Sequence, residues 1–386
     1  MKSFHIILIA ALLASCSPSG QVGKKVAAPL KDKVLQLAEA NLAEKPVTVT
    51  AASTDRSSGS IHDFYSEGDY WWPNPEDPDG PYIRRDGETN PDNFVAHRHA
   101  MVRFSQIVGN LTSAYLLTGQ KKYAEAVVPH VKAWFIDPET MMNPNLLYAQ
   151  AIKGVTPGRG IGIIDTIHLI EVSQSLIRLH EAGVLPQDVY EGSRKWFADY
   201  LDWLTTHKNG VDEMNAKNNH GTCWALQAAS FAQYAGRQDI VDLCKDRYKN
   251  IFLPTQMATD GSFPQELART KPYGYSLFNL DAMAGLCQIL STKEDDLWDY
   301  TTPDGKNMRK AIEFILPYIK DKSAWPYAHD VMYWDEWPVA HPTLIFAWAR
   351  YKDDSYYEAW LPFDHFPTNE EVVRNLPLRN PVIWLY

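Results

Sequence analysis

From residue 100 onward the apolar positions recur every three or four residues, the spacing of helices that bury one face. Phe104, Ile107, Val108, Leu111 and Tyr115 form one such face, ended by Gly119, and Tyr123, Val127, Val131 and Trp134 form the next. Leu169, Val172, Leu176 and Leu179 repeat the pattern up to Gly183, followed by Trp196, Tyr200 and Trp203. Trp224, Ala228 and Phe231 lead through Gly236 to Ile240, Leu243 and Cys244. Leu280, Met283, Cys287 and Leu290 are answered by Met308, Ile312, Ile315 and Ile319. The unit is helix, short turn, helix, and no stretch past residue 100 shows sustained strand alternation. The stronger helix of successive pairs starts near 163, 220 and 273, intervals of 57 and 53 residues. Helical pairs at a steady period predict a ring or arc in which each pair buries its face against its neighbours. The expected fold class is all-α, an (α/α) toroid with long irregular loops; an α-solenoid is the competing arrangement.

Two stretches interrupt the helices. Residues 69–93 (DYWWPNPEDPDGPYIRRDGETNPDN) are too rich in Pro, Gly and Asp for a helix. A long irregular segment inside a compact domain is usually functional, and this one is expected to lie across a cleft. Residues 352–386 also read as irregular and as a cap on the ring. Residues 31–386 are therefore expected to form a single domain. Ahead of it, Phe4 to Leu13 is a run of ten residues, apolar but for His5, too short to span a bilayer. It ends in Leu13-Ala14-Ser15-Cys16, which resembles a bacterial lipoprotein signal. The expectation is a leader over residues 1–16 and lipidation at Cys16. Residues 17–30 would be a flexible tether, and the protein an exported monomer on the periplasmic face of the outer membrane, with the cell surface as the alternative. Cys223, Cys244 and Cys287 sit in helical apolar patterns with no C-x-x-C pair, so they read as buried thiols rather than a zinc site.

Composition narrows the partners. Among 386 residues, 45% are hydrophobic, which excludes a disordered chain and leaves room for a large core. Lys plus Arg number 37 against 47 Asp plus Glu, a net charge of −10 that argues against a nucleic-acid partner. Thirteen Trp and 20 Tyr suit a sugar cleft, since pyranose C–H faces pack on aromatic rings. A net negative chain can still bind a polyanion. At physiological salt the screening length is about 8 Å, so a locally basic groove is what matters.

The candidate chemistry lies at two helix starts. Asn218-Asn219-His220-Gly221-Thr222 opens one helix, and Arg269-Thr270-Lys271-Pro272-Tyr273-Gly274-Tyr275 opens the next in the series. Equivalent helices of successive pairs begin at the same end of a ring, which brings Asn219, His220, Arg269 and a Tyr to one mouth. Free N–H groups at those helix starts would favour an anion there. Amide, imidazole, guanidinium and phenol suit β-elimination from a 4-linked uronate. The C5 proton becomes removable once the carboxylate is neutralised, and a phenol of lowered pKa could take that proton and return one to the leaving oxygen. This chemistry calls for no metal or cofactor.

The motifs NNHGT, GSFPQELARTKPYGYSLFNLDA (261–282), WWPNP (71–75) and NPNLLYAQAIKGVTPGRGIGIIDT (143–166) resemble the alginate lyase superfamily of (α/α)-toroid polysaccharide lyases, over roughly residues 60–345. The resemblance implies β-elimination of a polyuronate, alginate or its polymannuronate blocks, with Asn219, His220, Arg269 and Tyr275 as the catalytic set. Glucuronan is an alternative substrate. The spacing from Arg269 to Tyr275 is one residue shorter than in well-known alginate lyases, so Tyr273 competes for the role. Substrate contacts are expected from Asn218 and Lys271, and from Tyr148, Gln150 and Arg159 in a Gly- and Pro-bearing loop. Arg84 and Arg85 could clamp a uronate from the proline-rich segment, and His97 could reach the groove. His97-x-His99 is half a metal site with no third ligand at a fitting spacing. Trp325 and the Tyr333–Trp337 run either line the cleft or close the ring. Two other classes compete. A glycoside hydrolase would recruit a carboxylate pair from Asp63, Asp69, Asp165 and Glu266, and a non-catalytic glycan-binding lipoprotein would bind without turnover.

Overall fold

The computed structural model describes residues 18–386, so the leader and Cys16 lie outside the described residues. The described chain opens with α1 (Pro18–Ala27) and α2 (Lys31–Asn41). Strand β1 (Tyr65–Glu67) and the antiparallel pair β2 (Trp71–Trp72) and β3 (Ile83–Arg84) follow. Next come α3 (Ala96–Thr118), α4 (Lys121–Phe135) and strand β4 (Tyr148–Ala151), which pairs in parallel with β1. The middle of the chain holds α5 (Leu169–Glu181), α6 (Gln187–Thr206), α7 (Lys208–Met214), α8 (Asn219–Ala235), α9 (Gln238–Arg247) and α10 (Leu253–Gln256). It continues through α11 (Pro264–Leu267), α12 (Pro272–Leu290), α13 (Met308–Lys320), α14 (Pro342–Tyr351), α15 (Asp354–Trp360), α16 (Glu370–Arg374) and α17 (Pro381–Leu385).

The ring is an inner circle of α3, α5, α8, α12 and α14, each packed on the next, with α4, α6, α9, α13 and α15 outside. Sequence explains which helix goes where. Helices α8 and α12 bury residues all round, from Thr222 and Trp224 to Phe278 and Met283, as central helices must. Helix α13 buries the single stripe Met308, Ile312, Ile315 and Ile319 and leaves its other face wet. Gly119 and Gly236 stop α3 and α8 in left-handed conformations (φ 69° and 74°). The inner helices α5, α8 and α12 start 50 and 53 residues apart, at Leu169, Asn219 and Pro272. The start expected at 163 falls in a 3-10 turn, Gly160–Thr166, whose Ile163 is buried and so prolongs the helical pattern upstream.

Two expectations are corrected. Residues 18–27 are not a tether but helix α1, whose Val26 is buried, as is Leu30 after it. It docks on α17 because Gly23 has no side chain: a Cβ there would stand 2.7 Å from the Cα of Tyr386. Residues 352–386 are not irregular throughout but carry three short helices, α15, α16 and α17, and α17 closes the ring against α3, α5 and α14. Past residue 100 the strand β4 is four residues long and shows no sustained alternation. The 69–93 segment has no helix, as expected. It is a strap pinned by the β2–β3 pair and by bonds from Arg85 N to Tyr70 O (2.8 Å) and Asn90 N to Asp69 O (2.8 Å).

Candidate active site

The strap, β4, and the starts of α8 and α12 enclose a cleft of about 290 Å³ at one end of the ring. Four arginines, Arg84, Arg159, Arg269 and Arg374, line it against two carboxylates, Asp69 and Glu213. The groove is thus locally basic in an acidic chain, as a polyanion substrate requires.

Asn219, His220, Arg269 and Tyr275 all meet here, and each is held from behind. The buried Glu266 accepts from Asn219 N (2.7 Å) and from Asn219 Nδ2 (2.6 Å). His220 Nδ1 lies 2.6 Å from Oε1 of Glu213, itself buried, so Nδ1 carries a proton and Nε2 is left to the cleft. Arg269 is gripped by the strap carboxylate Asp86, at 3.0 Å from Nη2 and 3.3 Å from Nε, while Thr270 Oγ1 donates to the same carboxylate (3.0 Å). The pairing of Arg269 with Glu266 that its sequence position suggests does not form. Tyr275 Oη lies 2.6 Å from Tyr70 Oη, and the Arg269 guanidinium sits 4.6 Å from the Tyr275 ring centre.

Two electrostatic expectations change. The helix starts offer fewer free N–H groups to an anion than expected, the N–H of His220 remaining without a partner among the described residues. Glu266 takes the first N–H of α8, and Asp330 takes those of Tyr273 and Gly274 in α12, both at 2.9 Å. The Tyr275 phenol is not acidified. Burial pushes its pKa well above the ordinary value, and the nearby Lys271 and Arg269 do not offset that, so it rests as a neutral phenol.

The other expected contacts divide. Arg159 lines the cleft, donating to Gln150 O (3.1 Å) and Gln150 Oε1 (2.9 Å), with no carboxylate within 4.0 Å among the described residues. Gln150 reaches it from a left-handed backbone (φ 47°), and Arg84 and Asn218 also line it. Tyr148 does not; its ring packs where a Cβ on Gly59 would stand 2.6 Å away. Lys271 is buried, 2.9 Å from Glu371 Oε1, and braces the underside of Tyr70. Tyr273 is fully buried, its hydroxyl donating to Tyr318 O (3.0 Å) and its ring edge-on to Trp325. His97 is also buried, receiving the N–H of Tyr65 at Nδ1 (2.9 Å) with Nε2 2.9 Å from Ala52 O, so it fastens β1 rather than a sugar. Arg85 stacks on Trp72, and Trp325 and Trp337 are buried ring closers. Among the described residues no His, Cys, Asp and Glu group could hold a metal ion.

The hydrolase carboxylates are spent. Burial favours protonation of Asp69, but Arg374 and Arg98 outweigh it and hold its pKa low. Asp63 serves Ser60 and Asn143, and Asp165 serves Ser66 and Arg98. Sequence reasoning missed Tyr70, Asp86, Glu213 and Arg374. Arg374 reaches Asp69 (2.5 Å) across 305 residues, a pairing no local pattern could signal.

Solved structures share this architecture. An alginate lyase from Bacteroides ovatus is 32% identical, and the match covers 96% of this chain and 97% of that one with a TM-score of 0.80. Two forms of alginate lyase A1-III complexed with a tetrasaccharide, one with a histidine replaced by alanine and one with a tyrosine replaced by phenylalanine, share the fold at 13% identity. Their TM-scores are 0.60 and 0.59, covering 97% and 96% of both chains. No curated protein matches in sequence. The fold is an (α/α) toroid and the protein a polysaccharide lyase. Residues 48–325 match the family described as Alginate lyase, and the chain belongs to that family.

Proposed function

We propose that this lyase cleaves a 1,4-linked polyuronate, alginate and its polymannuronate blocks foremost, by β-elimination at the cleft that gathers Asn219, His220, Arg269 and Tyr275. The observation that carries the reading is the company of the Tyr275 hydroxyl. It stands in a groove with four arginines, one of them, Arg159, without a carboxylate partner among the described residues. The Asn219 amide and the Arg269 guanidinium neutralise the uronate carboxylate, which lets charge from the departing C5 proton spread into it. The C4–O4 bond then breaks, a C4=C5 double bond forms, and Tyr275 gives its proton to the leaving oxygen.

The C5 proton has two candidate acceptors. Tyr275 takes it in one reading, which requires that the phenol has first passed its own proton to His220 Nε2 or to water. His220 takes it at Nε2 in a second reading, which is favoured by the neutral phenol and by the Nδ1 proton held on Glu213.

The test is ultraviolet absorbance of unsaturated ends on polymannuronate, polyguluronate and glucuronan, with protein lacking residues 1–16. Absorbance on one polymer that is lost in His220→Ala supports the site and names the substrate. Imidazole that restores His220→Ala assigns the base to His220. New reducing ends without absorbance would replace elimination by hydrolysis.

A further inference from the structure

We infer that Glu266 is the positioning residue that sets which atom of the Asn219 amide faces the substrate. The inference rests on the reading of Asn219 as a group that neutralises the uronate carboxylate. An asparagine amide can turn over about its last torsion, exchanging a donor for an acceptor at nearly the same position. For Asn219 that exchange matters, because a carboxylate accepts from N–H and is repelled by C=O. Nothing in the cleft prevents the wrong orientation; the residue behind it does.

Glu266 sits on the four-residue helix α11, ahead of Arg269, and is 1% exposed. Its two oxygens meet two groups of one residue: Oε1 receives the backbone N–H of Asn219, and Oε2 receives Nδ2. An ionised carboxylate only accepts, so the atom of the Asn219 amide turned to it must be the nitrogen. One Nδ2–H is thereby fixed on Glu266, and the other is the donor left for a uronate. Charge-assisted bonds of this length are about twice as strong as neutral ones. The same carboxylate caps α8, so helix start and amide orientation are set by one group. Burial raises the pKa of Glu266 above the ordinary carboxylate value, and the two Asn219 N–H groups, His220 and Arg269 offset that only in part.

Glutamine at 266 separates the two duties. Its oxygen can still cap the N–H of Asn219, but its Nε2 then faces the side-chain amide and demands Oδ1, which inverts Asn219. The experiment is a double-mutant cycle of Glu266→Gln and Asn219→Ala, with kcat, KM and melting temperature measured for all four proteins where all are folded. Glu266→Gln should lower kcat about tenfold to a hundredfold, the scale on which orienting partners act, with KM little changed. It should have no further effect in the Asn219→Ala background. A helix cap alone would shift melting in both backgrounds and leave kcat. Retained kcat in Glu266→Gln, or a loss that multiplies with that of Asn219→Ala, overturns the inference. Retained kcat in Asn219→Ala would instead remove the role assigned to Asn219 itself.

Discussion

Tyr275 and Tyr273 stand two residues apart in α12 and should fail in opposite ways when cut back to phenylalanine. The Tyr275 hydroxyl faces the cleft and bonds the Tyr70 hydroxyl at 2.6 Å. Removing it deletes the proposed proton-transfer group, for which the usual loss is about 10²- to 10⁴-fold in kcat, or roughly 3–5 kcal/mol of barrier. Stability should hardly move, because Tyr70 keeps access to cleft water and a net hydrogen bond is worth only about 1 kcal/mol. Tyr273 presents the reverse case. Its hydroxyl is sealed from solvent and donates to the carbonyl of the half-buried Tyr318 at 3.0 Å. Phenylalanine there leaves that carbonyl without its partner at a cost of about 1–3 kcal/mol, a drop of a few degrees in melting temperature. Activity in folded protein should stay within about twofold, since the proton-transfer group is untouched. Unsaturated-product absorbance and thermal melting, run on both variants, read the two effects separately. Tyr275→Phe with activity near that of the parent, or Tyr273→Phe folded but inactive, would refute the assignment of the two side chains.

Other consequences follow from single residues. Arg159→Gln should raise KM about tenfold or more with a smaller change in kcat, because it removes a charge-assisted contact worth about 1.5–3 kcal/mol. Unchanged KM would mean that the uronate does not reach Arg159. His97, His130 and His168 have pKa values lowered first by burial, His130 to about 4. In the unfolded chain each returns to about 6.5, so the native state binds fewer protons as pH falls and stability is lost below that value. The slope is at most about 1.4 kcal/mol per pH unit for each histidine, and urea unfolding at neutral and mildly acidic pH should show it; equal stability at both would contradict the burial argument. Cys16→Ser should move the expressed protein from the detergent phase to the aqueous phase on partitioning, whereas unchanged partitioning would dispose of lipidation there.

What the sequence made legible was periodic or adjacent. The inner helices announced themselves through stripes such as Leu169, Val172 and Leu176, and the Pro-rich strap through its composition. Asn219 and His220 are neighbours in sequence, and Arg269 and Tyr275 lie within two turns of each other, so the shared period could bring both sets to one mouth. What stayed hidden depends on pairs that no spacing encodes. Glu213 meets His220 across the break between α7 and α8, and Asp86 meets Arg269 from the strap. Choosing between Tyr273 and Tyr275 required the rotation of α12, because consecutive odd positions near a helix start point about 200° apart. The phenol expected to be acidic proved the opposite, because burial depth is a property of the whole fold. The tether was misread because Ser, Gly and Lys look flexible until a partner such as α17 is in place.

The Arg374–Asp69 pair also sets a timetable. A chain made from its N-terminus lays down the strap early, yet the arginine that walls the cleft beside Tyr70 comes near the end, and the helix that shuts the ring comes later still. Every chain not yet made as far as α16 therefore lacks a complete cleft. A fragment that stops short of α16 retains the Asn219-His220 motif without the arginine that walls its cleft.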